Sequence, residues 1–168
     1  MRYPLRGKST VAGLTMGSGV LAGAIGLARG LSRRSLGPMA LPLAIGSGLW
    51  WLGRSLGDAY LEIRGAWLHV KLGALFDEVI PLSTIAGVDR TTWSLLGGLG
   101  LRSNLRDVVA ITTRAGEVAE LTFAAPQPLP IIPGVWRIQA RKLIVSPDNL
   151  DDFIAELERA ISVDEPAD

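Results

Sequence analysis

The stretch Tyr60-Leu-Glu-Ile-Arg-Gly-Ala-Trp-Leu-His-Val-Lys-Leu72 decides how the chain reads. Leu61 and Ile63 alternate with Tyr60 and Glu62. After a turn at Gly65, Leu68, Val70 and Leu72 alternate with Trp67, His69 and Lys71. Successive side chains on a strand point to opposite faces, so this pattern predicts two strands with an apolar and a polar side.

The pattern continues toward the C-terminus. Gly73 makes a turn, and Leu75–Pro81 and Leu82–Arg90 read as strands with a break at Pro81. Asp107–Thr113 and Glu117–Phe123 are predicted to form a hairpin around Arg114-Ala-Gly116, with Val109, Ile111, Ala119, Leu121 and Phe123 inward. Lys142–Val145 is a last short strand. About seven strands with short turns describe a sandwich or barrel. The period then changes. Ser146-Pro147-Asp148 reads as a helix start, and Leu150, Phe153, Ile154, Leu157 and Ile161 fall on one helical stripe.

Strands followed by one amphipathic helix carry a resemblance. Tyr60-Leu-Glu-Ile-Arg-Gly65, Ile80-Pro-Leu-Ser-Thr-Ile85 with Gly87-Val88, and Leu143-Ile-Val-Ser-Pro-Asp148 leading into Phe153, Ile154 and Leu157 make residues 58–162 similar to the bacterial pleckstrin-homology-like (PH-like) family. The resemblance implies a mainly β fold with a C-terminal α-helix: a seven-stranded bent barrel capped by that helix, without enzyme activity. Two stretches depart from a compact barrel and read as long loops, Ser94–Arg106 and the proline-rich Ala124–Ala140. Within the second, Pro128-Leu-Pro-Ile-Ile-Pro133 reads as a rigid strap packed over the barrel rather than as an exposed recognition segment.

The chain before Asp58 is different. Residues 1–57 hold seven basic residues and no acid, while residues 58–168 hold ten basic and sixteen acidic residues. The net charge of +1 hides this asymmetry. Two charge-free runs, Ser9–Ala28 and Ser35–Gly53, are each long enough for a spanning helix, which needs about 20 apolar residues. Arg29-Gly-Leu-Ser-Arg-Arg34 between them reads as a turn, so residues 1–57 are expected to be a transmembrane helical hairpin. A cleaved signal peptide ending near Ala22-Gly-Ala24 is the alternative; the second apolar run argues against it. Gly13, Gly17, Gly19 and Gly23 form small-residue faces that permit close helix packing, including self-association into a homo-oligomer. Trp50 and Trp51 suit a membrane–water interface. Arg2, Arg6, Lys8, Arg54 and Arg64 flank the hairpin against Arg29, Arg33 and Arg34 in its loop, which favours cytoplasmic termini. Residues 58–163 then form the PH-like domain, and 164–168 a disordered tail.

Composition bounds the chemistry. The chain has 168 residues, no cysteine and one histidine, which excludes disulfides, thiol catalysis, zinc–thiolate sites and a multi-histidine metal site within one chain. The small net charge argues against nucleic acid as a partner. No motif implies a cofactor or a metal. Gly97-Gly-Leu-Gly100 lacks the lysine and Ser/Thr of a phosphate loop and reads as turn glycines. His69 reads as a strand histidine on the polar face. Adjacent Asp77 and Glu78 point apart, and Asp148, Asp151, Asp152, Glu156 and Glu158 read as a solvated helix face. Arg102, Arg106, Arg137, Arg141 and Lys142, with Trp93 and Trp136 nearby, are the candidate binding set. They suit an acidic surface of a membrane or cytoplasmic partner protein, or anionic lipid headgroups. The sequence thus describes a membrane-anchored, non-enzymatic interaction module, with anionic-lipid binding as the alternative.

Overall fold

The structure, a computed structural model, describes residues 1–5, 7–33 and 37–164. Two compact units emerge, one formed by Ser9–Asp58 and the other by Met1–Lys8 together with Ala59–Asp168. The second unit resumes at Ala59, so Asp58 falls with the helices. The first eight residues belong with the β unit and not with the helical unit.

The helical unit contains α1 (Lys8–Arg33) and α2 (Gly37–Leu56). α1 runs on through Arg33, past the expected turn at Arg29. Among the described residues one segment, Val11–Ala28, is long and apolar enough to cross a membrane. The two helices touch through their backbones: a Cβ added at Gly19 would lie 2.7 Å from the Gly46 carbonyl oxygen, and one at Gly26 would lie 2.6 Å from Pro42. Pro42 lies inside α2. Leu14, Val20, Leu21, Leu41, Ile45, Trp50 and Trp51 point outward, exposed.

Among the described residues the β unit holds nine strands in two sheets. The first sheet has the order β1 (Arg2–Pro4), β2 (Tyr60–Arg64), β3 (Trp67–Leu72), β4 (Phe76–Pro81), all antiparallel. As the alternation predicts, Leu61, Ile63, Leu68, Val70 and Leu72 are buried. β1 is the strand the sequence reading missed. Tyr3 and Leu5 alternate inward, and Tyr3 packs edge-on to Phe153 at 5.5 Å.

The second sheet has the order β5 (Ile85–Trp93), β8 (Gly116–Ile132), β9 (Trp136–Val145), β7 (Val108–Thr112), β6 (Gly100–Ser103). Two expectations are corrected here. β7 and β8 do not form a hairpin, because β9 lies between them and runs parallel to β7. The proline-rich stretch is not a strap but the distal half of a long β8–β9 hairpin. Its prolines fit because β5 pairs with β8 only as far as Phe123, so the distal half of β8 has a strand on one side alone, and because the ladder is irregular between Thr122 and Gln127. Likewise the loop 94–106 contains the short edge strand β6. The expected inward set of Val109, Ile111, Ala119, Leu121 and Phe123 is buried on one face. The fold is thus mainly β with a C-terminal helix, its strands, nine among the described residues, lying in two sheets that do not close.

The C-terminal helix α3 (Leu150–Asp164) begins three residues later than the Ser146-Pro147 step implies. Pro147 instead bridges Leu5, and the Asp148 amide donates to the Pro4 carbonyl at 2.9 Å. Asn149 caps the helix, its Oδ1 accepting from the Asp152 amide at 3.4 Å. Leu150, Phe153 and Leu157 are buried, while Ile154 and Ile161 lie at the margin. Burying each such side chain contributes about 1.5–3 kcal/mol. Asp164 is helical, and the rest of the expected tail lies outside the described residues, as do Arg6 and Arg34.

Candidate functional site

The five basic residues singled out from sequence do not form one patch. Alternation along β9 buries Ile138 and Ala140 and turns Arg137 and Arg141 outward. Arg137 is spent on structure. Its guanidinium reaches Glu78 of β4 at 2.9 Å and donates from Nε to the Pro128 carbonyl at 3.1 Å, tying the two sheets together. Lys142 is also committed, with Nζ 2.7 Å from Glu120 Oε1 across the β8–β9 ladder; that hydrogen bond holds its ammonium above the usual lysine range. Lys142 stays exposed enough for solvent to screen the pair, so its stabilising worth is small.

Arg102 projects from β6 toward Gly98, where an added Cβ would lie 2.6 Å from its Nε. Arg106 and Arg141 are the two that come together. The β6–β7 turn is built by Asn104, whose Oδ1 accepts from the amides of Arg106, Asp107 and Val108, each at 3.0 Å. This side-chain turn forces Leu105 into a left-handed conformation, φ 60°, and leaves it exposed. The carbonyl of Asp107 in turn accepts from the Arg141 amide at 2.7 Å. One turn therefore presents Arg106, Leu105 and the neighbouring Arg141 to solvent. Neither arginine forms an ion pair among the described residues. Leu105 carried a sequence signal in Asn104-Leu-Arg-Asp107, an Asx-turn pattern, which went unread. Trp136 lies elsewhere, half-exposed at the β8–β9 tip beside Ile132 and Val135.

The other candidates resolve as follows. His69 sits on the outer face of the first sheet. Nε2 is 2.6 Å from Asp77 Oδ1, and Nδ1 is 3.4 Å from the Tyr60 hydroxyl. Lys71 Nζ reaches the second oxygen of Asp77 at 2.7 Å. Bonds from His69, then Lys71, hold the Asp77 carboxyl below the ordinary carboxylate range. Asp77 and Glu78 point apart, as strand geometry requires: Glu78 turns to Arg137 while Asp77 stays on the outer face. Three of the α3 acids, Asp151, Asp152 and Glu156, have partners of their own. Glu156 accepts the Tyr3 hydroxyl, and Asp151 meets Arg90. Burial, then the bond to Glu156, raises Tyr3 above the tyrosine range.

Gly97 packs against Trp93, where a Cβ would lie 2.7 Å from the indole, and Gly98 and Gly100 have φ of 79° and 90°. They are turn and packing glycines. Trp93 also donates from Nε1 to the Gly98 carbonyl at 2.8 Å, folding this loop over Val118, Ala110 and Ile144.

In the helical unit, Gly19 is consumed by the α1–α2 contact, whereas Gly13 and Gly17 face open space. Gly23 contributes its backbone, which a Cβ on Gly46 would meet at 3.0 Å. Trp50 and Trp51 are exposed near the end of α2, with the Arg54 guanidinium 5.8 Å from the Trp50 ring. No protein-family model matches the chain, and neither does any curated protein or solved structure.

Proposed function

We propose that the chain is a membrane-anchored, non-enzymatic PH-like interaction module that docks an acidic surface of a partner protein at the cytoplasmic membrane face. The observation that carries the docking part is the β6–β7 turn. Arg106 and Arg141 stand exposed beside the outward-held Leu105, while Arg137 and Lys142 are neutralised by glutamates. An apolar residue on the same turn as guanidinium groups without an ion pair fits a protein surface with carboxylates around an apolar depression, since arginine binds carboxylates in a bidentate fashion. Anionic lipid is the weaker reading, because two of the five cations are already spent and residues 58–168 carry six more acids than bases.

The multi-pass anchor rests on β1. If Val11–Ala28 crosses the bilayer, the chain must return before Tyr60, since Arg2–Pro4 pairs with Tyr60–Glu62 in one sheet. α2, with 20 residues, spans about 30 Å and can make that return. Arg2, Arg54 and Arg64 outside the hairpin favour the cytoplasmic side for the β unit. The resemblance to the PH-like family is supported by local fit. Ile80-Pro81 ends β4, Leu82–Thr84 makes one turn, Ile85 opens β5, and Ser146-Pro147 precedes α3.

The test is photo-crosslinking from position 105 of the full-length protein in native membranes, followed by mass spectrometry. A stoichiometric partner, lost when Arg106 and Arg141 are both changed to Glu, is the expected result. Crosslinks to lipid alone would move the function to lipid binding, and self-crosslinks alone to a homo-oligomer, for which Gly13 and Gly17 leave room.

A further inference from the structure

The loop between β5 and β6 carries a second surface with a different chemistry. Leu96 is 99% exposed and Leu95 is 68% exposed, two adjacent leucines at the crest of one turn. The turn is rigid. Gly97 N donates to the Ser94 carbonyl at 3.1 Å, Gly98 N donates to the Leu95 carbonyl at 3.0 Å, and Trp93 locks Gly98 from below. Such a preformed apolar crest binds without the cost of ordering a loop.

Its place in the fold indicates the occupant. The Gly98 carbonyl accepts from Thr112 Oγ1 at 3.4 Å. The next residue, Thr113, has its carbonyl beside Gly7, where an added Cβ would lie 3.1 Å away. Gly7 is the residue before α1, so the leucine crest lies at the end of the second sheet from which the chain enters its apolar helix. The charge agrees. Ser94–Arg106 contains no acid, Arg102 lies against Gly98, Arg114 is exposed at the same end, and nearby Glu117 is paired with Arg90. Apolar side chains flanked by cations are the chemistry of a lipid interface.

We propose that Leu95 and Leu96 dip into the membrane interface next to the start of α1, flanked by Arg102 and Arg114. This gives the β unit a lipid contact beyond its two covalent links to the hairpin. The inference rests on the membrane-anchor reading. The crest stands at the end of the second sheet opposite the Arg106–Arg141 turn, so the two surfaces are separate.

The absence of cysteine makes the test direct. Leu96→Cys, Val20→Cys and Val135→Cys are each labelled with an environment-sensitive fluorophore in the full-length protein. The proteins are reconstituted into phosphatidylethanolamine–phosphatidylglycerol vesicles with or without brominated acyl chains. Val20 lies within the apolar segment of α1, and Val135 lies at the β8–β9 tip, the whole length of the 17-residue β8 away from Gly116. The expected result is loss of intensity from brominated lipid at positions 20 and 96 and none at 135. Quenching at 20 without quenching at 96 overturns the crest while sparing the anchor. A label at 96 that is shielded from an aqueous quencher yet untouched by brominated lipid also overturns it, in favour of a protein contact. Equal quenching at 96 and 135 overturns it as nonspecific adsorption. No quenching at 20 removes the anchor reading itself, and the crest with it.

Discussion

The helical unit and the β unit use bulk and smallness in opposite ways. In the β unit, Phe76, Phe153, Leu61, Leu72, Ile111, Leu121, Leu143 and Leu157 are turned inward and almost fully buried. In the helical unit the large residues, from Leu14 and Val20 to Trp51, point out, and the contact between helices is made by Gly19, Gly26, Gly46 and Gly53. Burying apolar area from water drives the first arrangement. The second is made by close backbone approach at glycines, the arrangement that the proposed membrane anchor would use. The difference teaches that mean hydropathy alone says little; where the large side chains point separates the two units.

The sharpest way to break the comparison is to remove bulk from the β unit. Phe153→Ala leaves a cavity beside Tyr3 and is expected to cost about 3–5 kcal/mol. The urea midpoint of the full chain in detergent, followed by the fluorescence of Trp67 and Trp93, measures this. A shift smaller than about 1 kcal/mol would show that α3 is not part of the core. Leu5→Ala probes the return of the N-terminus to the β unit, since Leu5 is 2% exposed and bridges Pro147. We expect a loss of about 2–4 kcal/mol. If residues 1–8 belonged with the anchor instead, the midpoint would not move.

The converse experiment adds bulk to the helical unit. Gly19→Val places a Cβ where the Gly46 carbonyl stands, so the helices must part, at about 1–3 kcal/mol. Gly13→Val meets open space within the chain and is the control. The β-unit urea midpoint stays at the parent value in both variants. Distances between spin labels on α1 and α2 lengthen only in Gly19→Val. Equal lengthening in the two would end the claim that glycine positions set the contact.

Much of this was legible in the sequence because strand alternation and helix period are local signals. The inward sets of β2, β3, β7 and β8 and the stripe of α3 follow from spacing alone. What was not legible is pairing. Thr112 and Gly116 lie close in sequence, which favours a hairpin, yet β9 takes the place beside β7 because the long β8–β9 ladder carries it there. β1 was missed since three residues, Arg2–Pro4, give too short a pattern, and their partners in β2 lie 56 to 60 residues further on. The binding set was only half legible. Charge type is written in the sequence, but whether Arg137 or Arg141 is free depends on Glu78, which sits on another sheet.

The smallest effect concerns the wet face that both the alternation and the structure give to the first sheet. Asp77 lies below its ordinary value near 3.8 because His69 and then Lys71 donate to it. A carboxyl depressed on folding adds stability above its unfolded value, and that contribution is lost as pH falls through the lower folded value. Asp77 is half exposed, so solvent screens the pair and the contribution is under about 1 kcal/mol. Asp77→Asn should therefore lower the urea midpoint slightly at pH 7 and match the parent once acid has protonated Asp77. A variant as stable as the parent at both pH values would mean that the polar face contributes only solubility. A loss as large as that of Phe153→Ala would mean that the outer face carries weight assigned here to the core, and the contrast between buried bulk and exposed polar pairs would have to be redrawn within the β unit itself.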